Sequence, residues 1–172
     1  MSKLIIVCGL SGSGKTTLAS ELSKKLNIVC IHKDSIKETL YEAQNCSTLD
    51  DSKRLGSQSV ELLLKLAEEH IKRNVDIVIE SPFNFPDDYP LFESWIKDYG
   101  VDIFSVICLI NKNERARRFQ ERERHISHHD AERIIDHLKK EFDYENIPGK
   151  QIRIETNVPV DELVKKVIFQ LI

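Results

Sequence analysis

The chain has 172 residues, enough for one domain with a substantial core, and its 31% charged and 41% hydrophobic residues are ordinary for a globular protein. A net charge of -3 offers no broad positive field for a nucleic acid. No apolar run approaches the roughly 18 residues of a membrane span. The chain enters an apolar segment directly after Met1-Ser2-Lys3, which leaves no room for a signal peptide, and Cys8, Cys30, Cys46 and Cys108 form no C-x-x-C pair. Neither zinc nor dithiol chemistry is indicated, and a reducing cytoplasm is the expected setting.

In chain order, Leu4 to Cys8 is an apolar run suited to a buried parallel strand. It leads into Gly9-Leu10-Ser11-Gly12-Ser13-Gly14-Lys15-Thr16, the complete G-x-x-x-x-G-K-[ST] pattern, and then into Thr17 and a helix that carries Leu18, Ala19, Leu22 and Leu26 at helical spacing. Strand, glycine loop and helix in this order grip the phosphates of a nucleoside triphosphate. The glycines let the backbone curl round an anion, and the amides of Ser11 and Ser13 join those of the helix start. Lys15 reaches the β- and γ-phosphates, and the Thr16 hydroxyl ligates Mg²⁺.

A second strand, Ile28 to Ile31, precedes His32-Lys33-Asp34-Ser35 and a helix-like stretch to Tyr41. Asp34 is either a first-turn acid or helix cap, with Ser35 competing for the cap, or the carboxylate that takes the proton of an attacking hydroxyl. A long helix is expected from Ser52 to Arg73, with Val60, Leu63, Leu64, Ala67 and Ile71 on one face. The third strand, Val75 to Glu80, ends in a carboxylate that either serves the metal, directly or through a water, or meets the substrate. Ser81-Pro82-Phe83-Asn84-Phe85-Pro86 follows as a stiff aromatic loop, then a helix from Tyr89 to Tyr99.

The fourth strand, Ile103 to Ile110, leads into Asn111-Lys112-Asn113-Glu114, which is one residue away from the N-K-x-D guanine reader and comes without a D-x-x-G after strand three. Arg115, Arg118 and Arg122 then stand at i, i+3 and i+7 and share a helix face, with Arg117 and Arg124 opposite. Interleaved Glu114, Glu121 and Glu123 offer ion pairing as the alternative to a cationic cover over the triphosphate. His125, His128 and His129 fit no standard metal spacing and read as a mobile segment. Asp130 begins another helix. A fifth strand, Ile152 to Glu155, precedes Thr156-Asn157, and Asp161 to Ile172 closes the chain as a helix. Alternating strands and helices predict a parallel sheet covered on both faces, with chemistry beyond the carboxyl ends of its strands.

The GLSGSGKTT loop, the Asp34 position, the acid-ended third strand and the Arg118-x-x-x-Arg122 spacing together resemble the P-loop small-molecule kinases. These are the shikimate, gluconate, adenylylsulfate and polynucleotide kinases, with zeta-toxin kinases nearby. The resemblance implies a single α/β domain over 1–172, a three-layer P-loop fold with five parallel strands in the order 2-3-1-4-5, and a lid within 112–135. It also implies ATP and Mg²⁺ as cofactors and a small hydroxylated acceptor. Arg118 would then lie against the adenine, Arg122 near the phosphates, and Thr156 and Asn157 in the loop past the base. A polynucleotide 5′-hydroxyl kinase and a nucleotide-driven switch or ATPase are the alternatives.

Overall fold

The structure, a computed structural model, describes residues 1–171. Five strands, β1 (Lys3–Cys8), β2 (Val29–His32), β3 (Ile77–Glu80), β4 (Asp102–Leu109) and β5 (Lys150–Glu155), form one parallel sheet in the order β2-β3-β1-β4-β5. This is the expected order. β1 is central, as suits a strand that is apolar from Leu4 to Cys8. Leu4, Ile6 and Cys8 face one core and Ile5 and Val7 the other, so both faces of the strand are buried. The register pairs Val7 with both Glu80 and Val106, which brings the strand ends to one edge.

On one face lie α1 (Lys15–Leu26) and α7 (Val160–Gln170), which bury Leu18, Leu22, Val164 and Val167 against Ile5 and Val7. On the other lie α3 (Leu49–Lys72) and α4 (Tyr89–Tyr99), which bury Leu63, Ala67, Phe92 and Trp95 against Leu4 and Ile6. α2 (Lys33–Ala43) packs on α3 at the sheet's β2 end. α5 (Lys112–Glu121), a 3₁₀ turn (Ile126–His128) and α6 (Asp130–Lys139) fill the stretch between β4 and β5.

α3 starts earlier than its apolar spacing predicts. Thr48 accepts from the Asp51 amide while the Asp51 carboxylate accepts from the Thr48 amide, a capping box that fixes the start at Leu49. The last turn of the expected closing helix also differs: α7 ends at Gln170, and Ile172 lies outside the described residues. Among the described residues no helix is long and apolar enough to cross a membrane.

Candidate active site

The glycine loop sits between β1 and α1. Gly12 adopts φ +87°, and a Cβ there would lie 2.9 Å from the Arg115 carbonyl oxygen, so no side chain fits. The first intrahelical bond of α1 runs from the Leu18 amide to the Gly14 oxygen at 3.2 Å. Gly14, the residue at the cap position, has no side chain to satisfy the amides ahead of it. Those amides and the positive end of α1 form the anion cradle that the sequence predicts. Thr16 and Thr17 are exposed at this helix start, while Ser13 and Lys15 are buried.

Behind the loop, the Lys15 ammonium lies 3.6 Å from Oε1 of the buried Glu80, whose Oε2 accepts from His32 Nδ1 at 3.0 Å. The neighbouring Cys30 sulfur and the Glu80 carboxylate hold His32 up at about 10, so the ring is a cation and its Nε2–H donates to the Ser20 hydroxyl at 3.2 Å. Both oxygens of Glu80 thus have cationic neighbours. Glu80 orients Lys15, and it would meet a metal only through water. For Mg²⁺, which keeps several waters and takes one or two protein ligands beside phosphate oxygens, the exposed Thr16 hydroxyl at the loop's end is a fitting donor.

Asp34 lies in the first turn of α2. Neither Asp34 nor Ser35 caps that helix. The cap position belongs to His32, which makes no side-chain cap bond. Asp34 Oδ1 accepts from Lys33 at 3.2 Å and Oδ2 from Arg124 at 2.6 Å. Burial opposes its ionisation, yet Lys33 and then Arg124 hold the carboxyl well below the usual carboxylate range. Asp34 and Lys15 line the same cavity of about 500 Å³, together with Ser11 and the aromatic loop. Within that loop, Phe83 is buried against Phe92, with ring centroids 5.5 Å apart, whereas Phe85 is exposed at the cavity wall.

The arginines divide differently from the single-face expectation. Arg118 donates to the Thr156 carbonyl at 2.9 Å and to Glu114 at 2.8 Å, beside Gly14. Thr156 in turn donates its hydroxyl to the Ser13 carbonyl at 2.6 Å, so the loop after β5 is tied to the phosphate cradle. Arg115 turns away and donates to the carbonyls of Leu138 and Lys140 at 2.9 and 3.0 Å, closing the end of α6. Arg117 is exposed and pairs with Glu114 and Glu121, as expected.

Arg124 is a correction. The helical phase that put it opposite Arg122 stops at Glu121, and Arg122 has extended dihedrals (φ -83°, ψ 137°). In extended chain, alternate residues point the same way. Arg122 and Arg124 therefore both reach Asp130, at 3.9 and 3.0 Å. Arg122 lies over the Phe119 ring at 4.4 Å, with buried Nε and Nη2 atoms that lack a hydrogen-bond partner. Burial, followed by the nearby Arg124, lowers it to about 10.

The histidines fasten this segment to α2. Arg124 donates to His128 Nδ1 at 2.7 Å, which leaves Nε2–H to donate to Glu38 at 2.7 Å. His128 is thus neutral, and burial lowers it to about 3. His125 meets Glu42 at 3.1 Å, and His129 meets the Tyr41 hydroxyl at 3.0 Å. Asn111, the first residue of the near-match to the guanine reader, caps α5 by accepting from the Glu114 amide at 2.9 Å. Asn157 is exposed and lines a separate groove with Arg153 and Lys166.

Sequence reasoning missed Lys37. It is 1% exposed, donates to the Ser52 hydroxyl at 2.8 Å and lines the cavity with Asp34. The signal was available: Asp34, Lys37, Glu38 and Tyr41 stand at i, i+3, i+4 and i+7, one face of α2.

The family described as AAA domain matches residues 4–143. No curated protein matches the chain. Among solved structures, a Chloroflexus aurantiacus protein provisionally described as a kinase is 20% identical, with 98% of this chain and 97% of that one covered and a TM-score of 0.84. A Mycobacterium tuberculosis APS kinase in complex with AMPPNP and APS is 19% identical, with 99% and 97% covered and a TM-score of 0.66. A shikimate kinase from Aquifex aeolicus is 19% identical, with 98% and 95% covered and a TM-score of 0.56. These likenesses establish the fold, a three-layer α/β arrangement shared with those structures.

Proposed function

The chain belongs to the AAA domain family, and on that premise we propose an ATP- and Mg²⁺-dependent phosphotransferase that moves the γ-phosphoryl group to a hydroxyl of a small acceptor. The observation that supports this reading is the shared cavity, which the Asp34 carboxylate and the P-loop lysine, Lys15, both line.

The amides at the start of α1 hold the phosphates, and Lys15, steadied by Glu80, neutralises the β- and γ-oxygens. Thr16 would hold Mg²⁺, which would supply further neutralisation of the phosphate charge. Arg118 walls the nucleotide side near Thr156, and Arg122 offers its unpartnered nitrogens to the triphosphate. Thr17 borders the cradle, and Asn157 extends the loop past the base. The segment 112–135 is the lid over the site, in a single domain.

The acceptor hydroxyl takes the place of Lys33 on Asp34. As its oxygen bonds to the γ-phosphorus and the bond from that phosphorus to the β-bridging oxygen breaks, the hydroxyl proton passes to Asp34 and ADP leaves. A loose transition state demands little of the base until late, which suits a carboxylate of low basicity.

The test is Asp34→Asn in a screen of hydroxylated acceptors. ATP affinity should stay near wild type while transfer falls by roughly 10²-fold or more. Transfer at the wild-type rate would remove Asp34 from the reaction. ADP release that needs no acceptor and ignores the substitution would favour a switch or ATPase.

A further inference from the structure

We infer that the acceptor is itself an anion, carrying a phosphate or carboxylate group that docks on Lys37, Arg133 and Lys140, apart from the phosphoryl group being transferred. The inference rests on the phosphotransfer reading for the role of acceptor and on the cavity alone for its charge.

The cavity that Lys15 and Asp34 line is also walled by residues of α2, α3, α6 and the aromatic loop. Lys37 is buried there, with a neutral hydroxyl as its hydrogen-bond partner. Lys140 lies with its ammonium 4.2 Å from the Phe85 ring centroid, and Arg133 is half-buried on α6. Among the described residues none of the three is in an ion pair within 4.0 Å. Glu61, Asp87, Asp88 and Asp136 also line the cavity but leave these cations unpaired, while Asp34 and Asp130 are committed to Arg124.

Burying a charge without a counter-charge is costly, and a ligand that supplies one recovers that cost. Burial, with Lys33 and Arg133 adding repulsion, lowers Lys37 to about 7, and burial with Arg133 lowers Lys140. Arg133 thus repels both lysines, and all three side chains line one cavity. A group with several anionic oxygens satisfies all three, with the Arg133 fork suited to two of those oxygens. The bland role for Lys37, tying α2 to α3 through Ser52, needs neither Arg133 nor Lys140 nearby.

The experiment has two readouts on the full chain. In the first, inorganic phosphate is titrated into protein saturated with AMPPNP and Mg²⁺, so that the P-loop is filled. Phosphate should bind, and Lys37→Met and Arg133→Gln should each weaken it about tenfold or more. Arg133 is half-exposed, so its variant folds even if Lys37→Met does not. In the second, a polyol, the matching aldonate and the matching polyol phosphate are compared as acceptors. The charged members should exceed the polyol in kcat/KM by about tenfold or more, and their ranking separates carboxylate from phosphate.

No phosphate binding, binding unchanged by Arg133→Gln, or a polyol turned over as well as its charged partners would overturn the inference. The last of these leaves the kinase reading intact. Phosphate binding that depends on Arg133, with no acceptor phosphorylated, would sink the kinase reading and keep the anion site.

Discussion

At the scale of single residues, the centre of the site is the contact between Asp34 and Arg124. Arg124 holds Asp34, Asp130 and His128 at once, and it is the residue that ties the proposed lid to the proposed base. Arg124→Met should therefore cut kcat/KM by tenfold or more, as expected for losing hydrogen bonds between charged, partly buried groups. Arg117→Ala, on the solvent side of α5, should stay within about twofold, since exposed ion pairs contribute little. Steady-state kinetics of the two variants check this, and equal effects would return both arginines to a solvated helix. The P-loop residues were legible because each letter of the motif answers one demand of phosphate geometry. Arg124 was not, because no Gly or Pro marks the helix end after Glu121, and a phase carried two residues too far reverses a side chain's direction.

At the scale of elements, α5, the 3₁₀ turn and α6 form a unit held by two different devices. Arg115 supplies the end of α6 with a cation where the sequence has no capping glycine. Arg115→Met should cost about 2 kcal/mol, given that hydrogen bonds to charged groups contribute most when buried, and should expose residues 137–142 to protease. Denaturant unfolding and proteolytic mapping test it, and an unchanged midpoint would show the cap to be dispensable. The other device is pH-dependent. His128 binds a proton near 6.5 when unfolded but only at about 3 when docked. Its contribution is complete above pH 6.5 and is lost progressively as pH falls toward 3. Hydrogen exchange in residues 122–130, corrected for intrinsic rates, should rise between pH 6.5 and 4.5 in the wild type and stay flat in His128→Gln. Strands and helix faces were readable from apolar period, as at Tyr89–Tyr99, where the expected and observed bounds coincide. The early start of α3 was readable too, from Thr48 and Asp51, but an apolar count passes over capping residues.

At the scale of the whole molecule, the parallel sheet followed from the alternation of elements and its strand order from the family resemblance, while the cavity followed from neither. Lys37 is distant in sequence from Arg133 and Lys140, and folding lines one cavity with all three. Filling the P-loop should stabilise the whole domain, because a ligand that binds only the folded chain adds about 2.7 kcal/mol at one hundred times its dissociation constant. For a chain of this length that is a rise in Tm of roughly 5–10 °C with AMPPNP and Mg²⁺. Lys15→Ala should keep the fold and lose most of the shift, as calorimetry would show, and an undiminished shift would place the nucleotide elsewhere. The division of labour across the molecule has a consequence for descent. The glycine loop directly follows the central strand and is bound to the loop after β5, whereas Lys37, Arg133 and Lys140 sit on α2, on α6 and just beyond it, outside the sheet. Exchanging those few side chains changes which compound is held without disturbing the strands that hold the donor. A lineage with this architecture can thus drift to a new substrate through a handful of helix-surface replacements, each intermediate still folded and still able to bind nucleotide.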